Sequence, residues 1–323
     1  SAHAPGTFDP ALDADVVVLG GGLAGLSLAL QLRGEHPGLR IDVIERRRHP
    51  VPEAAFKIGE SSVEIAAHYF ARTLGLKEHL DGEQIKKFGF RFFFSDGRRD
   101  LDRCPERGAS MALATGSWQI DRGRFENTLA SGAHSVGIVC YAEAHPIEGM
   151  NTLERALDWL RVHQPRLAEA LEPMREDVMD FAFFKRFSYG CRQLFSPRRW
   201  AMAGEAGVFL DPFYSPGSDF IAIANTYITR LVGKDLAGEA WQPYAGVYEQ
   251  LFLSFYGSTM AMYRGQYHLF GDPGVMPLKV LWDYTYYWGV LAALFFAGRI
   301  ADLPTLSRLK PELAEAKALN AAM

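Results

Sequence analysis

The chain has 323 residues, 48% of them hydrophobic and 22% charged, with a net charge of -4. That is a globular composition, long enough for about two domains or one core with a large insertion, and its slightly acidic balance gives no footing for nucleic acid. Cys104, Cys140 and Cys191 are odd in number and far apart, which predicts reduced thiols in a cytoplasmic protein, and no CxxC, HExxH or His/Asp cluster predicts a metal site.

Residues 1–13 are a polar lead-in without an apolar signal core. Val16, Val17, Val18 and Leu19 then predict a buried parallel strand. Gly20, Gly22 and Gly25 follow in G-x-G-x-x-G spacing, with Leu23 and Ala24 opening a helix that runs on through Leu30. In this pattern Gly20 allows a tight turn, Gly22 a close approach of pyrophosphate, and Gly25 close packing of helix on strand. The free amides of the helix N-terminus face the anion. A second strand over residues 40–45 ends in Glu45, twenty positions after Gly25, where a carboxylate reaches a ribose hydroxyl. A dinucleotide site is expected. Arg46, Arg47 and Arg48 either face its phosphate oxygens or form a solvated loop.

The next stretch, Phe56-Lys57-Ile58-Gly59-Glu60-Ser61, resembles the Lys-x-Gly-Glu-Ser motif of the flavin-dependent halogenases. The resemblance implies that Lys57 projects between flavin and substrate and is essential for halogen transfer. Ser61 or Ser62 with Glu64 also reads as a helix cap, and a helix is expected over 65–80. Residues 88–94 alternate as a strand closed by an Asp96-Gly97 turn, with their aromatics expected in a sheet core. Residues 118–126 resemble the R-x-x-F-D/E segment of FAD monooxygenases and halogenases, which implies that Arg122 touches the cofactor, with Arg124 its neighbouring competitor. The helix begun at Phe125 has barely two turns before 135–140 read as a strand. In the family a longer stretch separates these elements and carries further sheet strands, the second Asp-Gly cofactor motif and W-x-W-x-I-P, none of which occurs between them here. Residues are therefore expected to be missing around 130–133.

A cap at Asn151-Thr152 predicts a helix to Pro165, a second helix follows to Leu171, and 181–189 is a strand candidate. Residues 200–220 then resemble the G-D-A-A-x-x-x-D-P-x-x-S-x-G segment of FAD hydroxylases and halogenases. The resemblance implies cofactor contacts at Gly204, Glu205 (usually Asp in the family), Pro212, Gly217 and Ser218. It places halide near Ser215 and Gly217, and a helix starting near Gly217 aims its positive end at the flavin. Tyr214 stands where tryptophan halogenases carry a catalytic glutamate, which argues for a phenol- or pyrrole-type substrate.

Aromatic stripes over 244–263 and 277–301 are expected as core and domain contacts. The longest apolar piece, Trp288 to Gly298, is shorter than the ~20 residues of a bilayer span, so no membrane contact is expected. A polar surface helix closes the chain from Thr305.

The expected fold is α/β: a Rossmann-like FAD-binding domain of the glutathione-reductase/PHBH type with a three-layer core, from 13–130 and 198–236. A sheet-containing substrate region (84–120 and 133–197) and C-terminal helices (237–323) complete it. The resemblance implies FAD-dependent halogenation of an electron-rich aromatic, free or carrier-bound, through flavin hydroperoxide and hypohalous acid. FAD would be reduced by a separate flavin reductase, the halide would be chloride or bromide, and Lys57 and Ser215 would be catalytic. The alternatives are an FAD-dependent aromatic hydroxylase and a non-halogenating flavin-binding partner protein.

Overall fold

The computed structural model describes residues 14–46, 60–95, 97–98, 100–111, 115–121, 125, 136–178, 181–185 and 187–323. Strand β1 (Val16–Leu19) pairs in parallel with β2 (Ile41–Ile44), Val16 opposite Ile41 and Leu19 opposite Ile44. Helix α1 (Leu23–Glu35) is the crossover between them. The strand expected to be buried is covered on one face only. Val18 is buried, but Val17, Leu19 and Ile44 share the other face and are exposed, Leu19 by 80%. Among the described residues no third layer lies over that face, which corrects the expected three-layer core.

The helix expected over 65–80 is broken. α2 (Glu64–His68) runs into a π-turn at Tyr69–Thr73, and Gly75 at φ +70° stops it before α3 (Lys77–Glu83). Only glycine takes that left-handed conformation without cost. The serine cap is also corrected. Val63 is the N-cap, without a side-chain hydrogen bond, while Ser62 Oγ donates to Trp118 O and accepts from Trp118 N, both at 2.8 Å. That exchange helps bind β3 (Glu60–Ser61) to β7 (Ser117–Ile120), the centre of a sheet whose other edge is β4 (Ile85–Lys87). Strand β5 (Arg91–Phe93) pairs with β6 (Glu106–Gly108) in a separate ribbon. Of the aromatics expected in a sheet core, Phe94 is buried, but Phe88 and Phe93 are exposed.

Thr152 caps α4 (Leu153–His163), its Oγ1 accepting from Arg155 N, and α5 (Pro165–Leu171) follows. Residues 136–140 form no strand, and in 181–189 only Tyr189 pairs, as a single bridge to Phe209. Strands β8 (Phe195–Ser196) and β9 (Trp200–Ala201) form a short hairpin. Then come α6 (Gly217–Leu236), α7 (Gln242–Ala261), α8 (Met276–Tyr286) with a π-turn over Tyr287–Ala292, and α9 (Ala293–Phe296). The last helix is split at Leu309 into α10 (Leu303–Arg308) and α11 (Lys310–Ala322). None of the described helices is long and apolar enough to cross a membrane.

The main core packs Leu28 and Leu32 of α1, Ile65 of α2, Ile223 and Tyr227 of α6, and Phe252 of α7. At its centre Asn225, fully buried, donates to Ser27 Oγ at 3.0 Å and Tyr69 OH at 3.1 Å and reaches Ala24 O at 3.3 Å. Tyr69 OH in turn donates to Gln31 Oε1 at 2.9 Å. Hydrogen bonds in a low-dielectric interior favour one relative placement of their elements, here α1 against α6, although Asn225 Oδ1 itself has no partner among the described residues. Asn225→Leu strands these partners, and the expected outcome is a stability loss of ~1–3 kcal/mol. It reads as a lower urea midpoint at unchanged slope.

Candidate active site

The β1–α1 turn has the geometry that its glycines demand. Gly20 N–H donates to Ile44 O at 2.8 Å, and Gly20 lies at φ +109°. A Cβ on Gly25 would stand 2.0 Å from Gly20 O and 3.0 Å from Val18 Cγ1, so strand and helix meet where no side chain fits. Gly22 is the α1 N-cap, and Leu23 is buried behind it. Glu45 folds back from the end of β2, its Oε2 accepting from Gly21 N at 2.7 Å. A carboxylate thus borders a turn of backbone amides, the arrangement that recognises ribose beside pyrophosphate. Arg46 is exposed next to it.

The second motif reaches the same place. Gly204, at φ +60°, is so close to α1 that a Cβ on it would lie 2.9 Å from Ala24 Cβ and 3.3 Å from Ile221 Cγ1. Glu205 follows on an exposed 3-10 turn, and Pro212 is exposed on the loop beyond. Ser215 takes φ +55°, a strained conformation for a side chain that clusters at functional sites. Its N–H closes on Pro212 O at 3.0 Å. An anion here would therefore meet the N-terminus of α6 at Gly217 rather than the Ser215 amide. Ser218 is buried in the first turn of that helix. Lys57, Arg122, Arg124, Asp96 and 130–133 lie outside the described residues.

Beside the start of α6 opens a cavity whose empty space, counted with the solvent at its mouth, is about 520 Å³. Pro216 and Asp219 form one wall, Val63 and Glu64 of α2 another, and Phe90, Tyr214, Tyr263, Tyr284 and Tyr287 give it aromatic faces. Asp219 is 1% exposed. Its Oδ1 accepts from Ala66 N at 2.8 Å and its Oδ2 from Tyr287 OH at 3.0 Å. Burial outweighs both bonds and pushes its carboxyl up to about 8. Burial likewise raises Glu64 and depresses Lys87 to about 8, with Glu64 and Asp219 opposing the latter. Lys87 donates to Ser62 O at 3.0 Å. On the far wall Asp283 accepts from Tyr214 OH at 2.8 Å and pairs with Lys279 at 2.5 Å.

Sequence reasoning missed Glu64, Lys87, Asp219, Lys279 and Asp283. The one available signal was the i, i+4 spacing of Lys279 and Asp283 within an aromatic stripe, where a charge pair on the buried face calls for a reason. The aromatic tail is core in part, as expected, but Thr259, Tyr263, Asp283, Tyr284 and Tyr287 also wall the cavity. No group of His, Cys, Asp and Glu suited to a metal occurs among the described residues.

A family model described as an NAD(P)-binding Rossmann-like domain matches residues 18–81, the stretch that holds the first turn and Glu45. The fold is that of the FAD-dependent oxidoreductases. Within that class the chain is similar to flavin-dependent halogenases. The flavin-dependent halogenase chlA of Dictyostelium discoideum is 31% identical over 134 residues, which cover 39% of this chain and 22% of that protein. The chain thus spans about a fifth of the length of this curated relative. The solved structure of the flavin-dependent brominase Bmp2 matches with a TM-score of 0.59 at 17% identity, covering 94% of this chain and 93% of that one. The myxobacterial chondrochloren halogenase CndH gives 0.62 at 17% identity, with 95% and 96% covered. A variant of the halogenase PltM in complex with FAD gives 0.63 at 13%, with 95% and 86% covered. At these identities the structural likeness is one of fold.

Two outcomes follow from the geometry. Gly25→Ala drives a methyl into Gly20 O, so the variant is expected to release FAD on gel filtration and to melt lower than the parent. The second concerns Asp219, whose folded carboxyl titrates at about 8 against an unfolded value of 3.8. Between those values the folded state binds more protons than the unfolded one, so stability falls as pH rises from about 4 to 8. Asp219→Asn is expected to flatten that decline in urea denaturation measured across the window, with Glu64, Asp211 and Asp283, which burial also raises, supplying what remains.

Proposed function

We propose that the chain is an FAD-dependent halogenase acting on an electron-rich aromatic compound of phenol or pyrrole type. The observation that carries this reading is the junction at Ala24, Gly204 and Ile221. It brings the dinucleotide turn and the second motif together, with the aromatic-walled cavity opening at the far end of that motif. The sequence similarity to a flavin-dependent halogenase supports the choice of chemistry.

The first turn, from Gly20 through Leu23 and Ala24 to Gly25, would hold the pyrophosphate on its amides, and Glu45 the ribose. Arg46 and Arg122 would flank the adenosine half. Gly204, Glu205, Pro212, Gly217 and Ser218 would line the flavin half. When bound and reduced by a separate flavin reductase, FAD supplies the oxygen-dependent oxidation of chloride or bromide. The α6 N-terminus at Gly217, just past the strained turn at Ser215, favours an anion by its positive field. Lys57 would hold the oxidised halogen by hydrogen bonding and direct it to the ring. The substrate arrives free or on a carrier protein, and the setting is cytoplasmic.

A second reading, an FAD-dependent aromatic hydroxylase, draws on the lack of W-x-W-x-I-P in the chain. One experiment separates them. The FAD-loaded protein is reduced without oxygen, then mixed with oxygen, bromide or chloride, and a halogen trap. Halogenated trap is expected, falling at least about a hundredfold in Lys57→Ala, the scale of losing a positioned proton donor. Hydrogen peroxide or hydroxylated product alone, indifferent to Lys57→Ala, would overturn the halogenase reading.

A further inference from the structure

Asp283 is a buried carboxylate that neither cofactor motif uses. Its Oδ2 is held twice, by Lys279 Nζ one turn earlier on α8 and by the Tyr214 hydroxyl. Lys279 also donates to Met262 O at 2.8 Å, so the ammonium is fixed between α8 and the end of α7. Both members of the pair are less than a tenth exposed. Burying an ion pair seldom adds stability, because desolvation offsets the attraction. On a cavity wall the same pair presents an oriented negative charge to whatever enters.

Two polar groups of that wall lack partners. Asp283 Oδ1 accepts from none of the described residues, whereas Oδ2 has two donors. Thr259 Oγ1, on α7, is buried without any partner. Asp283 and Thr259 line the same cavity, between the rings of Tyr214, Tyr263, Tyr284 and Tyr287. A buried hydroxyl left unpaired is costly unless a ligand answers it. The other acids of the cavity are less available. Both Asp219 oxygens already accept, and burial presses both Asp219 and Glu64 towards the neutral form. Burial raises the Asp283 carboxyl as well, with the contact with Lys279 and the hydrogen bond from Tyr214 opposing the rise.

We propose that the cavity takes its aromatic substrate as a neutral phenol, the O–H donated to Asp283 Oδ1 and the phenol oxygen accepting from Thr259 Oγ1 once that hydroxyl, closed off in this structure, rotates towards it. This rests on the reading of the cavity as an aromatic-substrate site. Tyr214 and Lys279 are positioning residues. They hold the carboxylate, and the ring of Tyr214 is itself wedged against Phe92, Phe213, Tyr263 and Tyr284. A phenol that donates to a carboxylate gains electron density on its ring, the property an electrophilic halogen selects.

The test is a fluorine NMR titration of para-fluorophenol, and of para-fluoroanisole, which has no O–H, against the whole FAD-loaded chain without oxygen or halide. Saturable binding of the phenol is expected, about tenfold or more tighter than the anisole, the scale of one hydrogen bond to a charged group. The bound phenol is expected to stay protonated to higher pH than the free one. Asp283→Asn should remove the preference for phenol over anisole while leaving anisole binding in place. Thr259→Val, on a different helix, should narrow the same preference and carries the test where Asp283→Asn does not fold. Equal affinities, a bound phenol that ionises more readily than the free one, no saturable binding, or a preference lost in Glu64→Gln but kept in Asp283→Asn would each overturn the proposal. Because no halide is oxidised in this experiment, a chain that traps no halogen still answers it. Trapped halogen with equal probe affinities would leave the halogenase reading standing and remove this one.

Discussion

The contact of α1 with α6 is the constraint on which the rest of the molecule depends. Asn225 reaches Ala24 O from 201 positions away in sequence, and one turn earlier on α6 Ile221 closes on Gly204. Neither motif is a cofactor site alone. The first offers amides and a carboxylate for the adenosine half, the second a strained turn and a helix start. They share one ligand only if the two helices cross at a fixed distance. Small residues at the crossing, Ala24, Ser27 and Gly204, permit the approach, and the Asn225 network selects one register among those that apolar packing alone would tolerate. A core of Leu, Ile and Phe fills that space but does not by itself specify it.

From that crossing the placement of charge follows. The first turn of α6 projects Asp219 into the interior, where it receives a backbone N–H and a tyrosine O–H but, among the described residues, no cation in contact. Asp283 is about as deeply buried and has Lys279 against it. The same side chain in two environments therefore offers different chemistry. Burial pushes both carboxyls up, but on Asp283 the adjacent ammonium opposes the push within an ion pair. Between them lies an aromatic-walled space with a hydroxyl to spare.

Legibility from sequence divides by range. The β1–turn–α1 unit, Glu45, the start of α6 at Gly217 and the Thr152 cap are local patterns, each written within a few residues, and the structure has them where the sequence places them. The helix after Ser62 and the strands at 136–140 and 181–189 are not there as read. Gly75 breaks the helix, and an apolar run becomes a strand only if a partner edge is presented to it, which local sequence does not report. The serine read as a cap is a cross-strand clamp to Trp118 for the same reason: its partner is 56 positions away. The cavity was illegible as a whole. Its polar residues lie singly on α2, α6, α7 and α8, inside stripes that hydrophobic periodicity assigns to core.

This division has a physical basis that bears on function. A dinucleotide is bound largely by backbone amides and a single carboxylate, so its recognition is written in glycine spacing and survives at low identity. A small-molecule substrate is recognised by the side chains of a pocket, and the cavity beside α6 is lined mostly from helices whose sequence is otherwise free to be any well-packed apolar surface. Relatives of this fold can therefore share the turn at Gly20–Gly25 and differ in what they accept. In this chain the buried ion pair of the cavity stands on the wall formed by α7 and α8. There one ion pair and one unpartnered hydroxyl stand among the tyrosines, in a position that packing alone gives no reason to make polar.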